Sequence, residues 1–230
     1  MKEVIATKKI TWEVRNDIGY LTFSDTPENR MDSLFFKELQ AITTEVIPKS
    51  SISAIIISGD GRHFSSGADL KDLLQTIENE KGETGTLALL SNYHSFKYLS
   101  DLNIPVIAAI KGVCIGSALE LAMHCHFRLC SPDAVLGLPE SGFGLIPGVG
   151  GIPKLLKLSG KAKTIELVLK GSTFSASDAI KWNIVDAIYP KKKLMEKAVQ
   201  LAKLASGNYR NYNKTDYLER LKASQVAFTD

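Results

Sequence analysis

Two stretches of this chain repeat one arrangement, and that arrangement limits what the sequence can build. The apolar run 53–58 (SAIIIS) is long enough for a strand buried on both faces. It leads through Gly59 and a polar turn to Ser66-Gly67-Ala68 and a helix start. A second run, 105–110 (PVIAAI), leads through Lys111-Gly112 to Gly116-Ser117-Ala118 and another helix start. Each unit puts tiny residues where the turn meets the helix. Tiny residues there let a ligand approach backbone N–H groups, which are unpaired at a helix N-terminus and sit at the positive end of its dipole. Two such groups aimed at one point would form an oxyanion hole. Ordinary tight turns with small residues for close packing would leave the same trace.

The rest of the chain frames these units. Residues 10–15 and 18–23 read as a hairpin turning at Asn16-Asp17. Residues 33–47 open with Ser and carry Leu34, Leu39, Ile42 and Val46 near helical spacing, with Pro48 beyond. A third strand is expected at 126–131. Helices are expected at 84–101, 117–124, 149–158, 161–170, 192–205 and 213–228. The polar segment 71–85 reads as a mobile lip. Strands stop near Pro190, so the expected division is a core over 1–190 and a helical region over 191–230.

With 230 residues, 44% of them hydrophobic and 23% charged, the chain can bury a real core. A net charge of +3 is too weak to point to nucleic acid. The one basic run, Lys191–Lys193, reads as a solvated helix start. Cys114, Cys125 and Cys130 have no paired short spacing, which argues against disulfides and zinc and for a reducing compartment. The four histidines show no metal-binding or nucleophile–base pattern. No run reaches the roughly 18 apolar residues of a membrane span. The first residues, MKEVIATKKITWEV, resemble neither a signal nor a transit peptide, so a cytoplasmic protein is expected.

HFSSGADL (63–70) resembles the F-x-x-G-A-D-L segment of the enoyl-CoA hydratase/isomerase (crotonase) family. GVCIGSALELAMHCHFRLCSPDAVLGLPESGFGLIPGVGG (112–151) resembles that family's longer signature, and SASDAIKWNIVDAIYP (175–190) matches its layout. The resemblance spans nearly the whole chain. It implies an α/β fold, a spiral of repeated ββα units followed by a helical C-terminal region, assembled as a homotrimer or a dimer of trimers. It implies an oxyanion hole from the N–H groups of Ala68 and Ser117, around the carbonyl of an acyl-coenzyme A thioester. The two glutamates of the hydratases fall on Glu120 and Glu140, the first expected to activate water and the second to protonate C2. Ser66, Gly67, Asp69, Leu70, Lys71 and Gly116 fall on positions that line the substrate path, and Gly148 on one with an N–H near the water. Asn29, Arg30 and Met31 fall on the loop that touches the nucleotide. No metal, flavin or nicotinamide is implied; coenzyme A enters only as part of the substrate.

A charge at Glu120, among Leu119, Leu121, Ala122 and Met123, is out of place on a solvated face. Four positions depart from the family's pattern. Ser117 stands where the hydratases carry Gly, so a hydroxymethyl either narrows the pocket or adds a hydrogen bond. His126 stands where Asp is common, which would remove an ion pair. Leu138 replaces a polar residue, and the chain stops roughly thirty residues short of the family's usual length. Paired glutamates favour hydration of a trans-2-enoyl-CoA. The alternatives are a double-bond isomerase, which needs one glutamate, a dehydratase of a specialised 3-hydroxyacyl thioester on coenzyme A or a carrier protein, and an inactive CoA- or RNA-binding scaffold.

Overall fold

The computed structural model describes residues 4–79, 83–206 and 214–223. Strands β1 (Val4–Ala6), β2 (Ile10–Arg15) and β3 (Ile18–Phe23) form an antiparallel meander. The hairpin turn is the expected one. Asn16 and Asp17 both hold positive φ, 49° and 59°, the backbone that matches the right-handed twist of the flanking strands. Helix α1 (Ser33–Ala41) continues into a π-turn over Ile42–Val46 and a 3-10 turn over Ile47–Lys49. Its cap is Asp32 and not Ser33: the Asp32 carboxylate accepts the Phe35 N–H at 2.9 Å.

The chain then runs through β4 (Ala54–Gly59), α2 (Leu70–Asn79), α3 (Glu83–Asp101), β5 (Val106–Ile110), β6 (Val113–Ile115), α4 (Ser117–His124), β7 (Phe127–Cys130), β8 (Val135–Gly137) and α5 (Gly151–Lys170). It ends with β9 (Thr173–Ser175), α6 (Ala176–Lys181), β10 (Ala187–Ile188), α7 (Lys191–Ala205) and α8 (Lys214–Ala223). The two helices expected over 149–170 are one element broken at Gly160, whose φ of 78° and ψ of 168° no helix tolerates. The expected lip is largely helix α2. Asp69 starts it by accepting the Asp72 N–H at 3.1 Å, and Leu70 and Leu73 give it an inward face. Residues 80–82 of that segment, and 213 and 224–228 of the last expected helix, lie outside the described residues.

A seven-stranded sheet runs β1-β2-β3-β4-β5-β7-β10 and is parallel from β3 onward. Every residue of β4 and β5 is buried, so neither strand shows alternation. A smaller sheet, β6-β8-β9, lies beside it and is prolonged by single bridges from Ser65 to Cys114 and from Met31 to Ala68. Each turn of the chain therefore gives a strand to the long sheet, a short strand or bridge to the second line, and then a helix. Four turns follow this order: β3–Met31–α1, β4–(65–68)–α2/α3, β5–β6–α4 and β7–β8–α5. This is the spiral of ββα units that the resemblance implies.

The sheet is covered on both faces. On one, Phe23, Ile55, Ile57, Ala108 and Ile110 meet Phe35, Phe96, Leu119 and Leu121. On the other, Ile56, Ile107, Phe127 and Leu129 meet Leu194, Ala198, Leu201 and Ala205 of α7. Truncating the fully buried Leu201 to Ala should cost on the order of 2–5 kcal/mol. His126 has a structural task of its own. Its Nδ1 accepts the Val106 N–H at 2.9 Å and its Nε2 lies 3.2 Å from the Ser100 carbonyl, so the ring bridges α3 to β5. Burial pulls its pKa down to about 4, which keeps it neutral. The ion pair of this region runs instead between Arg128 and Asp186 (3.3 Å), and Lys214 of α8 joins it at 2.7 Å.

Candidate active site

The two small-residue turns meet. Gly67 has a φ of 84°, and a Cβ there would lie 2.4 Å from the Ile115 carbonyl and 3.4 Å from the Ser117 nitrogen. Only glycine permits both the backbone and the approach. Met31 sets the rest of this turn. Its N–H donates to the Gly67 carbonyl at 2.9 Å, and its carbonyl accepts the Asp69 N–H at 3.2 Å. In a parallel bridge the residue between these two partners turns its own N–H away, so the Ala68 N–H is left over. Ser117 is the first residue of α4, where an N–H has no helical partner. Among the described residues neither the Ala68 nor the Ser117 N–H is bonded.

Both open onto a cavity of about 380 Å³, a size that suits a small ligand. Ser66, Ala68, Leu70 and Leu73 line it from the second unit, and Ile115, Gly116, Ser117 and Glu120 from the third. The 3-10 turn over Pro139–Phe143 adds Glu140 and Phe143, and the following loop adds Leu145, Ile146, Gly148 and Val149. Phe36 and Asn92 complete the wall.

Glu120 is 1% exposed. Its Oε1 accepts two backbone N–H groups, from Val149 at 2.9 Å and from Gly151 at 2.8 Å. Burial raises its pKa to about 7; the Glu140 charge adds to the rise and the two N–H bonds oppose it. Gly151 must be small, because a Cβ there would lie 2.7 Å from Glu120 Oε1. Glu140 is different. Its Oε2 is buried without a hydrogen-bond partner, and burial raises its pKa as well. Behind Glu120, the His124 Nδ1 sits 2.9 Å from the Glu120 carbonyl, and Tyr93 and His124 pack against Gly150.

Six of the side chains or backbone positions expected at the substrate, beyond the glutamates, do line the cavity: Ser66, Ala68, Leu70, Gly116, Ser117 and Gly148. Others act from behind. Asn29 is fully buried and its amide donates to the carbonyls of Asp60, His63 and Phe64, so its side chain shapes the loop and does not face a ligand. Met31 is buried and serves through its backbone. Arg30 is exposed and pairs with Glu28 and with Asp69, at 3.3 Å for the second. Lys71 is exposed on α2. Sequence reasoning missed Val149 and Gly151, whose role is carried by N–H groups that every residue but proline has. Among the described residues no cluster of His, Cys, Asp or Glu could hold a metal ion, and no helix is long and apolar enough to cross a membrane.

Comparison with known proteins places this geometry. Residues 13–216 match the family model for enoyl-CoA hydratase/isomerase. The chain is 34% identical over 194 residues to a Bacillus subtilis protein named "probable enoyl-CoA hydratase", covering 84% of this chain and 74% of that one. It is 38% identical over 196 residues to the fatty acid oxidation complex subunit alpha of Shewanella amazonensis; the match takes in 82% of this chain but spans only 27% of that protein. Among solved structures, the enoyl-CoA hydratase of Bacillus anthracis superposes with a TM-score of 0.75 at 26% identity, over 97% of this chain and 93% of that one. DspI of Pseudomonas aeruginosa shares the fold, with a TM-score of 0.77 at 24% identity, over 96% and 82%. The extent of these matches establishes that the chain belongs to the enoyl-CoA hydratase/isomerase family.

Proposed function

We propose that this protein adds water reversibly across the double bond of a trans-2-enoyl-CoA, giving the 3-hydroxyacyl-CoA. The observation that carries the reading is the sharing of one cavity by two carboxyl groups and two unbonded N–H groups. The thioester oxygen takes the Ala68 and Ser117 N–H groups. As water oxygen bonds to C3, the electron pair of the double bond moves toward C2 and the oxygen, and the two donors stabilise the enolate. Each donor is worth roughly 3–4 kcal/mol. Glu120 takes a proton from the water and Glu140 gives one to C2. Exchange with solvent then returns both groups to their starting states.

The hydrogen bonds support this division of labour. Two N–H groups on Glu120 Oε1 favour its carboxylate, and a pKa of about 7 suits a base at neutral pH. Glu140 has no partner for Oε2, and a bound thioester would exclude more water from it, which favours the acid form. The apolar wall from Phe36, Leu73, Phe143 and Ile146 suits an alkyl chain, in keeping with a relative named for fatty acid oxidation.

The test is the ultraviolet absorbance of the conjugated thioester in crotonyl-CoA mixed with purified protein. Steady loss of absorbance, with formation of 3-hydroxybutyryl-CoA, is expected. A protein that leaves crotonyl-CoA intact but moves the double bond of a 3-enoyl-CoA would be an isomerase, and the hydration reading would fall.

A further inference from the structure

Ser117 carries a group that this chemistry does not yet use. The residue is 8% exposed and lines the cavity, and its hydroxyl has no hydrogen-bond partner among the described residues. Because Ser117 lines the cavity, the oxygen of a bound ligand can become the partner its hydroxyl lacks. Its placement is defined by the helix start. As the first residue of α4, Ser117 has no preceding helical turn to restrict χ1. Both gauche rotamers hold Oγ close to the residue's own N–H, and the hydroxyl proton rotates to suit its acceptor.

Resting on the enoyl-thioester reading, we propose that the Ser117 hydroxyl is a third hydrogen-bond donor to the thioester carbonyl oxygen, beside the N–H groups of Ala68 and Ser117. A hydrogen bond to an oxygen that gains negative charge shortens and strengthens. The hydroxyl therefore holds the enolate more tightly than the starting thioester, which raises turnover more than affinity. A hydroxymethyl that only filled space would do neither. Alanine would replace it without loss, and glycine would simply widen the pocket.

Two measurements on the wild type, Ser117→Ala and Ser117→Gly separate these cases. The first is the infrared carbonyl band of butyryl-CoA, labelled with 13C at the thioester carbon and bound to each protein. Butyryl-CoA has no double bond to hydrate, so this readout does not depend on the reaction. The band is expected at lower frequency in the wild-type complex than in free ligand, and part-way back in both variants. The second is turnover of crotonyl-CoA. Both variants are expected to lose kcat by roughly tenfold to a hundredfold, with KM nearly unchanged. A Ser117→Ala protein with the wild-type band and wild-type kcat overturns the proposal, as does a wild-type band that does not move on binding. A wild type that fails to hydrate crotonyl-CoA yet shows the Ser117-dependent band shift removes the hydration reading and leaves the third donor in place.

Discussion

The two carboxyl groups of the cavity are held in opposite ways. Glu120 stands on α4, packed among core residues, and two backbone N–H groups grip one of its oxygens. Glu140 stands on a short 3-10 turn, half-buried, with Oε2 enclosed and unbonded. Two mobile carboxyl groups would hydrogen-bond each other or drift to solvent. Fixing one by its neighbours' backbone and leaving Oε2 of the other unbonded makes their surroundings differ: two N–H bonds support the Glu120 charge against burial, whereas no donor meets the enclosed oxygen of Glu140. The grip has a structural cost, since the loop at Val149–Gly151 must approach so closely that Gly151 has no room for a Cβ.

The largest test of this contrast removes each acid in turn. Glu120→Gln and Glu140→Gln should each lower kcat on crotonyl-CoA by about 10²–10⁴. Near-wild-type hydration by Glu140→Gln would break the assignment of the C2 proton. The next effect is on stability. Folding raises the Glu120 pKa from 4.5 to about 7, so the folded state binds a proton that the unfolded chain has released. That contribution is fully present below pH 4.5 and is lost as pH rises through about 7, amounting to about 3 kcal/mol. Glu120→Gln should abolish this decline, as seen in urea unfolding across the pH range. If the variant and the wild type keep a constant difference, Glu120 is not desolvated as described. Third, Gly151→Ala should push the Glu120 carboxylate out of its grip and cut kcat by about a hundredfold. The same substitution at Gly142, where a Cβ would meet nothing within 4 Å, should leave kcat unchanged.

The same contrast shows what the sequence made legible. Glu120 could be found because a charge inside LELAM breaks an apolar pattern, and the Ala68 and Ser117 turns because they repeat. The long sheet was visible wherever a strand exceeded four residues. The second sheet was not: β6, β8 and β9 have three residues each, too few for any periodicity, and Met31 and Ser65 contribute single bridges. The Met31 bridge is what holds the Ala68 turn beside the cavity, so the frame of the site was the least readable part. Backbone donors such as Val149 and Gly151 leave no side-chain signature, although the small residues of GVGG mark where the chain could pass close to Glu120. His126 read as the loss of an acid, whereas its ring joins two backbones that an aspartate, lacking a donor when ionised, could not bridge.

The smallest effect tests whether the two groups sense each other at all. The Glu140 charge is among the causes that raise the Glu120 pKa, after burial itself. Glu140→Gln deletes that charge while burial and the two N–H bonds remain. The Glu120 pKa should then fall, and the pH range over which the protein loses stability should end at lower pH than in the wild type. Because this is read from unfolding, it needs no turnover from a variant expected to have little. A shift in that direction would make the pair one coupled acid–base unit, titrating together. An unchanged profile would mean that Glu120 owes its raised pKa to burial alone. The two carboxyl groups would then divide their roles purely through what each is bonded to, and the Val149 and Gly151 N–H groups would be the whole of the distinction.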